Sequence, residues 1–201
     1  EQFRKTVMAC GEIGIKYVTF YAFSTENWKR DKSEVDALMD MLINFLRNFE
    51  KELGENRDKI SIRVIGNRKG LSEELLNEIR RVETATAANT DIIVNIAINY
   101  GGRDEIVEGI RNIAERAASG NLKSADIDEA CVSDALYTAG TPDPDLLIRT
   151  SGELRISNFL LWQMAYTEFY FADVLWPDFD RRELDKAVRA YGGRKRRYGA
   201  S

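Results

Sequence analysis

The spacing of apolar positions changes period repeatedly along the chain. Lys16–Ala22 (KYVTFYA) is short, β-branched and aromatic, the composition of a buried strand. Ser33 with Asp36 three residues on has capping-box spacing and predicts the opening of a helix. Val35, Leu38, Met39, Leu42, Phe45, Leu46, Phe49 and Leu53 then recur at helical intervals as one long apolar stripe. Ser61–Ile65 has the pattern of a second strand, closed by Gly66-Asn67. Ser72 is placed to cap a helix whose first turn carries Glu73 and Glu74, favourable to the helix dipole. Asp91–Asn99 predicts a third strand, turned by Gly101-Gly102 into a helix beginning near Arg103. A further helical stretch covers Asp126–Tyr137, and Leu146–Arg149 and Glu168–Phe171 are short strands. A last helix runs from Asp180 to Tyr191, ahead of the basic run Arg194-Lys195-Arg196-Arg197. Pro142, Pro144 and Pro177 all fall at element boundaries, where a fixed φ and a missing donor do no harm.

Strands alternating with helices predict an α/β fold, a mostly parallel central sheet flanked by helices. The 201 residues suit a single domain, 1–201, with a sizeable core. In such sheets ligands bind beyond the carboxyl ends of the strands, so the strand exits are the places to look for chemistry.

Composition narrows that chemistry by subtraction. The chain has no histidine, which removes His-based acid/base catalysis, Ser-His-Asp and Cys-His nucleophiles and His-ligated metals. Cys10 and Cys131 lie far apart with no CxxC spacing, so both are read as small core residues in a reducing cytoplasm. The net charge of −4 argues against a general nucleic-acid binder. No apolar run approaches the roughly 20 residues of a membrane span. The nucleotide signatures GxxxxGK[ST] and GxGxxG are missing, and the pairs Asp143/Asp145 and Asp178/Asp180, though spaced for a cation, sit beside proline as turn residues do.

Two strand exits stand out. The first runs Ser24-Thr25-Glu26-Asn27-Trp28-Lys29-Arg30 and gathers a hydroxyl, an amide, an indole and a guanidinium, with Trp28 needing a packing partner or a ligand. The second, Arg149 to Asn158, crowds Arg149, Arg155, Ser157 and Gly152 into ten residues. Guanidinium forks with hydroxyl donors are what a diphosphate needs; the competing reading is an ion-pair network through Glu153. Glu168 stands in an apolar setting and requires a cationic partner, a metal or an arginine. Together these point to a phosphorylated, non-nucleotide substrate.

The runs YAFSTENWKR (Tyr21–Arg30), IRVIGN (Ile62–Asn67), NIAINYGGRDEIV (Asn95–Val107) and DLLIRTSGELRISNFLLWQMAYTEFYFADVLWPDFD (Asp145–Asp180) resemble the cis-prenyltransferases, of the undecaprenyl diphosphate synthase type. The resemblance extends along the whole chain, and its last motif is highly specific. It implies an Mg²⁺-dependent transferase that condenses isopentenyl diphosphate onto an allylic diphosphate, usually farnesyl diphosphate, with new Z double bonds. The product would be a polyprenyl diphosphate such as undecaprenyl diphosphate, a carrier lipid of cell-wall and peptidoglycan synthesis. It also implies a hydrophobic tunnel, for which Ile62, Ile92, Leu42 and Phe45 are candidate lining residues by pattern.

Residue by residue, the resemblance makes Asn27 catalytic, as a helper in removing the proton. It makes Ser24, Thr25, Glu26, Trp28 and Arg30 substrate-binding, with Arg149, Arg155, Ile156 and Ser157 at the isopentenyl diphosphate, and links Glu168 to Mg²⁺. Arg197-Tyr198-Gly199 would complete a neighbouring subunit's site in a homodimer, and the aromatic residues from Phe159 to Phe171 would supply part of a two-fold interface. The protein would be cytoplasmic, without a transmembrane segment or nucleic-acid partner, and could meet the membrane surface to release product. The family's Asp-Gly-Asn-Gly-Arg-Trp strand and loop would precede Glu1, and a polypeptide of these 201 residues alone is expected to be inactive without it. Leu154 stands where some members have histidine. The alternatives are a non-catalytic subunit of a heteromeric prenyltransferase, against which Asn27, Arg149, Arg155 and Ser157 all speak, and a phosphate- or RNA-binding module.

Overall fold

A computed structural model describes residues 2–194, the side chains at 52 and 55 excepted, so the tail residues Arg197, Tyr198 and Gly199 lie outside the described residues. The elements in order are α1 (Gln2–Glu12), β1 (Tyr17–Ser24), α2 (Lys32–Arg47), α3 (Phe49–Leu53), β2 (Ile60–Ile65), α4 (Glu73–Thr86), β3 (Ile92–Tyr100), α5 (Gly102–Ala118), α6 (Glu129–Asp134), β4 (Leu146–Arg149), β5 (Glu168–Phe171) and α7 (Arg181–Gly192). Every strand pairing is parallel, in two ladders ordered β1-β3-β2 and β4-β5. The expected α/β class is therefore found. The chain divides into two compact units, residues 16–142 and residues 1–15 with 143–201.

In the unit of residues 16–142, β3 is the central strand and all nine of its residues are buried. Seven of the nine are apolar, Asn95 and Asn99 being the exceptions, as suits a strand flanked on both edges and covered on both faces. Ile62 and Ile92, two of the candidate tunnel residues, are buried in this core, whereas Leu42 and Phe45 on α2 are half-buried. β2 is an edge, and its outward N–H groups are answered by α4. The Ile62 N–H donates to Thr86 Oγ1 at 3.0 Å and the Val64 N–H to Glu83 Oε1 at 2.8 Å. Leu75, Ile79 and Val82 on α4 are fully buried, each contributing about 1.5–3 kcal/mol. The Ser72 cap forms as expected, its hydroxyl accepting the Leu75 N–H at 3.2 Å.

Four expectations are corrected. The second helix opens at Lys32 with Asp31 as N-cap, not at Ser33, because the Asp31 carbonyl already accepts the N–H groups of Glu34 and Val35. Its apolar stripe is also broken, since Asn48 leaves helical geometry (φ −96°, ψ 10°) and separates α2 from α3. The stretch Asp126–Tyr137 is α-helical over only half its length, Glu129–Asp134. The Asp128 carboxylate accepts the Cys131 N–H at 2.8 Å and starts a six-residue helix, after which Ala135 and Leu136 bond back only three residues. Cys131 there is half-buried rather than a core residue, while Cys10 is buried.

The other unit contains a helix, α1, that the sequence reading missed, although Phe3, Val7 and Cys10 lie at helical spacing and Gly14 (φ +79°) stops the chain after it. Arg181 of α7 bonds Glu12 of α1, and Asp180 caps α7 by accepting the Glu183 N–H at 3.1 Å. Of the two expected turn residues, Asp178 lies in the 3₁₀ turn Trp176–Asp178, whereas Asp180 serves instead as the N-cap of α7. No described helix is long and apolar enough to cross a membrane.

Candidate functional site

In the unit of residues 16–142, β1 runs directly into a single 3₁₀ turn, Thr25–Lys29, which fixes the first candidate cluster. The Ser24 N–H donates to Asn27 Oδ1 at 2.8 Å. An N–H can only donate, so this contact settles the amide's orientation: the oxygen faces the backbone and the NH₂ is what Asn27 can offer a ligand. Trp28 does have its packing partner, standing edge-on to Phe23 at 5.1 Å between centroids, while its Nε1–H donates to Asn99 Oδ1 at 2.7 Å. Arg30 holds Glu34 at 2.5 Å, an exposed i,i+4 pair that a more highly charged anion can replace. Thr25 donates to the exposed Glu26 at 3.2 Å. Ser24, Thr25, Glu26, Asn27, Trp28 and Arg30 are therefore brought together on one turn.

In the other unit, the exit of β4 is a loop with unusual backbone. Ser151, Gly152, Ser157, Asn158 and Leu160 all have positive φ, between 42° and 70°. Four of these are not glycine, and such conformations are costly unless the surroundings enforce them. The enforcement is visible. Ser151 N–H donates to the Val174 carbonyl at 2.8 Å and Gly152 N–H to that of Ala172 at 2.9 Å, so the loop is stitched to the segment after β5. Nothing in the side-chain composition of Arg149–Asn158 announced this strain; only Gly152 hinted at it.

This loop brings Arg149 and Ser157 together, Arg149 Nη1 donating to the Ser157 hydroxyl at 3.4 Å. Among the described residues Arg149 has no acidic partner. Arg155, in contrast, is paired with Glu153, so the competing ion-pair reading holds for one of the two arginines. Ile156 is half-buried and serves the loop through its backbone, its carbonyl accepting the Phe159 N–H at 3.1 Å. Glu168 opens β5 and has the cationic partner the sequence required, Arg194 Nη1 at 2.6 Å.

A metal needs more than this. No group of three or more His, Cys, Asp or Glu side chains among the described residues could hold an ion. One carboxylate already facing a guanidinium does not by itself make an Mg²⁺ site, since those take one or two carboxylates with substrate phosphates. Asp143, whose carboxyl burial raises above its ordinary range, stands in the irregular segment before β4 rather than in the expected turn or in a cluster.

Comparison with known proteins decides the family. Residues 1–199 match the family described as "Putative undecaprenyl diphosphate synthase". The chain belongs to the undecaprenyl diphosphate synthase family of cis-prenyltransferases. It is 49% identical over 200 residues to an isoprenyl transferase of Heliobacterium mobile, covering 99% of this chain and 76% of that protein. It is 44% identical over 198 residues to a ditrans,polycis-undecaprenyl-diphosphate synthase of Aliivibrio fischeri, named as (2E,6E)-farnesyl-diphosphate specific, covering 98% of this chain and 76% of that one. Among solved structures, the lavandulyl diphosphate synthase of Lavandula x intermedia in complex with dimethylallyl diphosphate superposes with a TM-score of 0.94 at 40% identity, covering 98% of this chain and 85% of that one. Family membership makes the protein a prenyl-chain-elongating transferase and leaves the alternative readings unsupported.

Proposed function

We propose that the protein condenses isopentenyl diphosphate with an allylic diphosphate, farnesyl diphosphate, to give a polyprenyl diphosphate with Z double bonds. The observation that carries this is Arg149. It is a guanidinium without an acidic partner among the described residues, set beside Ser157 on a loop whose strained backbone is held in place by hydrogen bonds. Such a preformed fork suits a diphosphate. Arg155 joins it by exchanging Glu153 for phosphate oxygens.

In the reaction the allylic C–O bond breaks and its electron pair leaves with the diphosphate. The isopentenyl double bond then attacks the allylic carbon, and the adjacent carbon gives up a proton to a diphosphate oxygen, its C–H electron pair making the new double bond. Asn27 contributes as a hydrogen-bond donor toward a diphosphate oxygen, because its own oxygen is engaged by Ser24. A neutral amide so engaged is a poor proton acceptor, so help in removing the proton comes through positioning. Ser24, Thr25 and Glu26 shape that turn, Trp28 supplies an apolar wall, and Ile156 supports the loop of Arg149.

The assignment extends to Mg²⁺ dependence, with Glu168 the described carboxylate nearest that role by resemblance, and to residues 1–201 working as one catalytic domain. It extends to a tunnel lined by Ile62, Ile92, Leu42 and Phe45, to a cytoplasmic location with product release at a membrane surface, and to a homodimer. Exposed Leu154, Tyr166 and Leu175 support the last of these, as apolar surface that a partner would cover. The test is incubation of the native protein with farnesyl diphosphate, labelled isopentenyl diphosphate and Mg²⁺. Labelled, butanol-extractable product with Z double bonds is expected; no extractable label overturns the assignment.

A further inference from the structure

Asn99 is the last but one residue of β3, where a strand gives way to a turn, and it adopts φ +50°. It is 6% exposed, and its side chain is fully engaged in a way that joins three strand exits. Oδ1 accepts the Trp28 indole N–H at 2.7 Å, from the turn after β1. Nδ2 donates to the carbonyls of Asn67 at 2.8 Å and Lys69 at 3.1 Å, both in the segment after β2. The Asn99 backbone carbonyl accepts the Asn67 N–H at 3.1 Å, so side chain and main chain grip the same segment. Behind it, Gly66 (φ +122°) lies so close that a Cβ there would stand 2.1 Å from the Ile98 carbonyl oxygen. The β2 exit therefore lies directly against the end of β3, held there by the hydrogen bonds between Asn67 and Asn99. Asn67 in turn donates to Asp104 on α5 at 3.3 Å.

A buried amide with one acceptor and two donors satisfied has only one orientation that works, because flipping it would set Nδ2 against the indole N–H and Oδ1 against two carbonyls. The indole is thus held at a fixed place relative to β2 and β3. Trp28 follows Asn27 directly in the same 3₁₀ turn, so fixing the indole also fixes where the Asn27 NH₂ points. A left-handed residue is accepted at position 99 because asparagine tolerates it better than other side chains do.

We propose that Asn99 is a positioning residue for the prenyl transfer reaction, acting through Trp28 to hold the Asn27–Arg30 segment in its productive place. It rests on the condensation activity proposed above. Removal of the Asn99 side chain lets the turn shift without removing any group that would touch substrate. A displacement of about 1 Å at a site of this kind costs on the order of 100-fold in rate.

The test combines Asn99→Gly, which accepts the positive φ, with Asn99→Asp, which keeps an acceptor for the indole but turns it anionic and loses both donors. The first readout is the ¹H–¹⁵N indole spectrum of the substrate-free protein, in which residues 1–201 contribute three tryptophans; Trp28→Phe identifies the Trp28 signal. In Asn99→Gly that signal alone should move toward the position of a water-exposed indole, and in Asn99→Asp it should move downfield. The second readout is kcat for condensation, expected to fall roughly 10- to 100-fold in Asn99→Gly, with little further loss when Asn99→Gly is added to Trp28→Phe. A Trp28 signal unmoved in Asn99→Asp, or kinetic losses of Asn99→Gly and Trp28→Phe that multiply in full, overturns the proposal. Should Asn99→Gly fail to fold, the Asn99→Asp spectrum alone decides. Failure of the wild-type protein to condense the two diphosphates would instead reject the condensation activity, while the spectrum still reports whether Asn99 holds Trp28.

Discussion

Arg194 grips the start of β5 at two points, donating from Nη1 to Glu168 Oε2 at 2.6 Å and from Nη2 to the Phe169 carbonyl at 3.0 Å. The carbonyl contact fixes the guanidinium, so Glu168 faces a positioned cation rather than a mobile one. A pair this well held is sensitive to the loss of either partner. Arg194→Ala should leave Glu168 uncompensated and lower stability more than Arg194→Lys, which keeps the charge but loses the second contact. Urea denaturation of the three proteins checks the order; equal midpoints for the two variants would contradict it.

The Ser24–Asn27 contact separates two roles for Asn27. Asn27→Asp keeps an oxygen for the Ser24 N–H but replaces the free NH₂ with negative charge. If the NH₂ donates to a diphosphate oxygen, this variant repels substrate and should be at least as damaging as Asn27→Ala, with losses of about 2–4 kcal/mol in transition-state binding. Were Asn27 instead a proton acceptor, the more basic carboxylate should retain or raise kcat. Steady-state kinetics with both diphosphates distinguish the two.

Arg149 and Arg155 should differ in degree. Arg149 makes no ion pair among the described residues, whereas Arg155 must first give up Glu153. Each charged hydrogen bond is worth about 1.5–3 kcal/mol, so Arg149→Ala should lower kcat/KM for isopentenyl diphosphate roughly 10- to 100-fold. Glu153→Gln, which frees Arg155, should leave KM unchanged or lower it. Unchanged kinetics in Arg149→Ala would remove this loop from the substrate site.

Much of this was legible in the chain because burial and strand pairing demand recognisable residues. The mostly apolar β3, the Ser72 cap and the need of Glu168 for a cation all follow from desolvation costs that sequence makes plain. Other features depend on contacts no local pattern encodes. The left-handed backbone of Ser151 and Gly152 is held by pairing with the segment after β5, and Asn99 links strand exits far apart in sequence. The early stop of α2 at Asn48 shows periodicity outrunning the helix it describes, since the apolar stripe continues while the backbone turns. Asn27 illustrates the same limit within a site, for its residue type was evident but the direction of its amide was not.

Cys10 and Cys131 should differ sharply in reactivity. Burial pushes the Cys10 thiol up to about 11, opposed only in part by the Arg181 charge, so at neutral pH it carries almost no thiolate. Cys131 is half-buried on a short helix. Iodoacetamide at pH 8 should therefore label Cys131 first and Cys10 only on unfolding, as followed by peptide mass spectrometry. Early labelling of Cys10 would show that α1 opens far more readily than its buried Val7 and Cys10 imply.

A polypeptide limited to residues 1–201 supplies Arg149, Arg155, Ser157 and the Asn27 turn, yet its described residues include only Glu168 as a carboxylate tied by resemblance to Mg²⁺, and that group already faces Arg194. Ionising an allylic diphosphate needs donors and a cation around the leaving group, because the departing charge has to be stabilised as it forms. The resemblance assigns those groups mainly to an Asp-containing loop whose motif does not occur within residues 1–201. Such a polypeptide should accordingly bind isopentenyl diphosphate, with binding weakened by Arg149→Ala, and still fail to turn it over with farnesyl diphosphate. Adding the strand and loop of a close relative ahead of Glu1 should restore turnover. Calorimetry with isopentenyl diphosphate and a labelled condensation assay on both polypeptides check the two halves separately. Comparable turnover from residues 1–201 alone would mean that the leaving group is stabilised from within, and Asp143, Asp145 and Glu168 would then be the first side chains to replace.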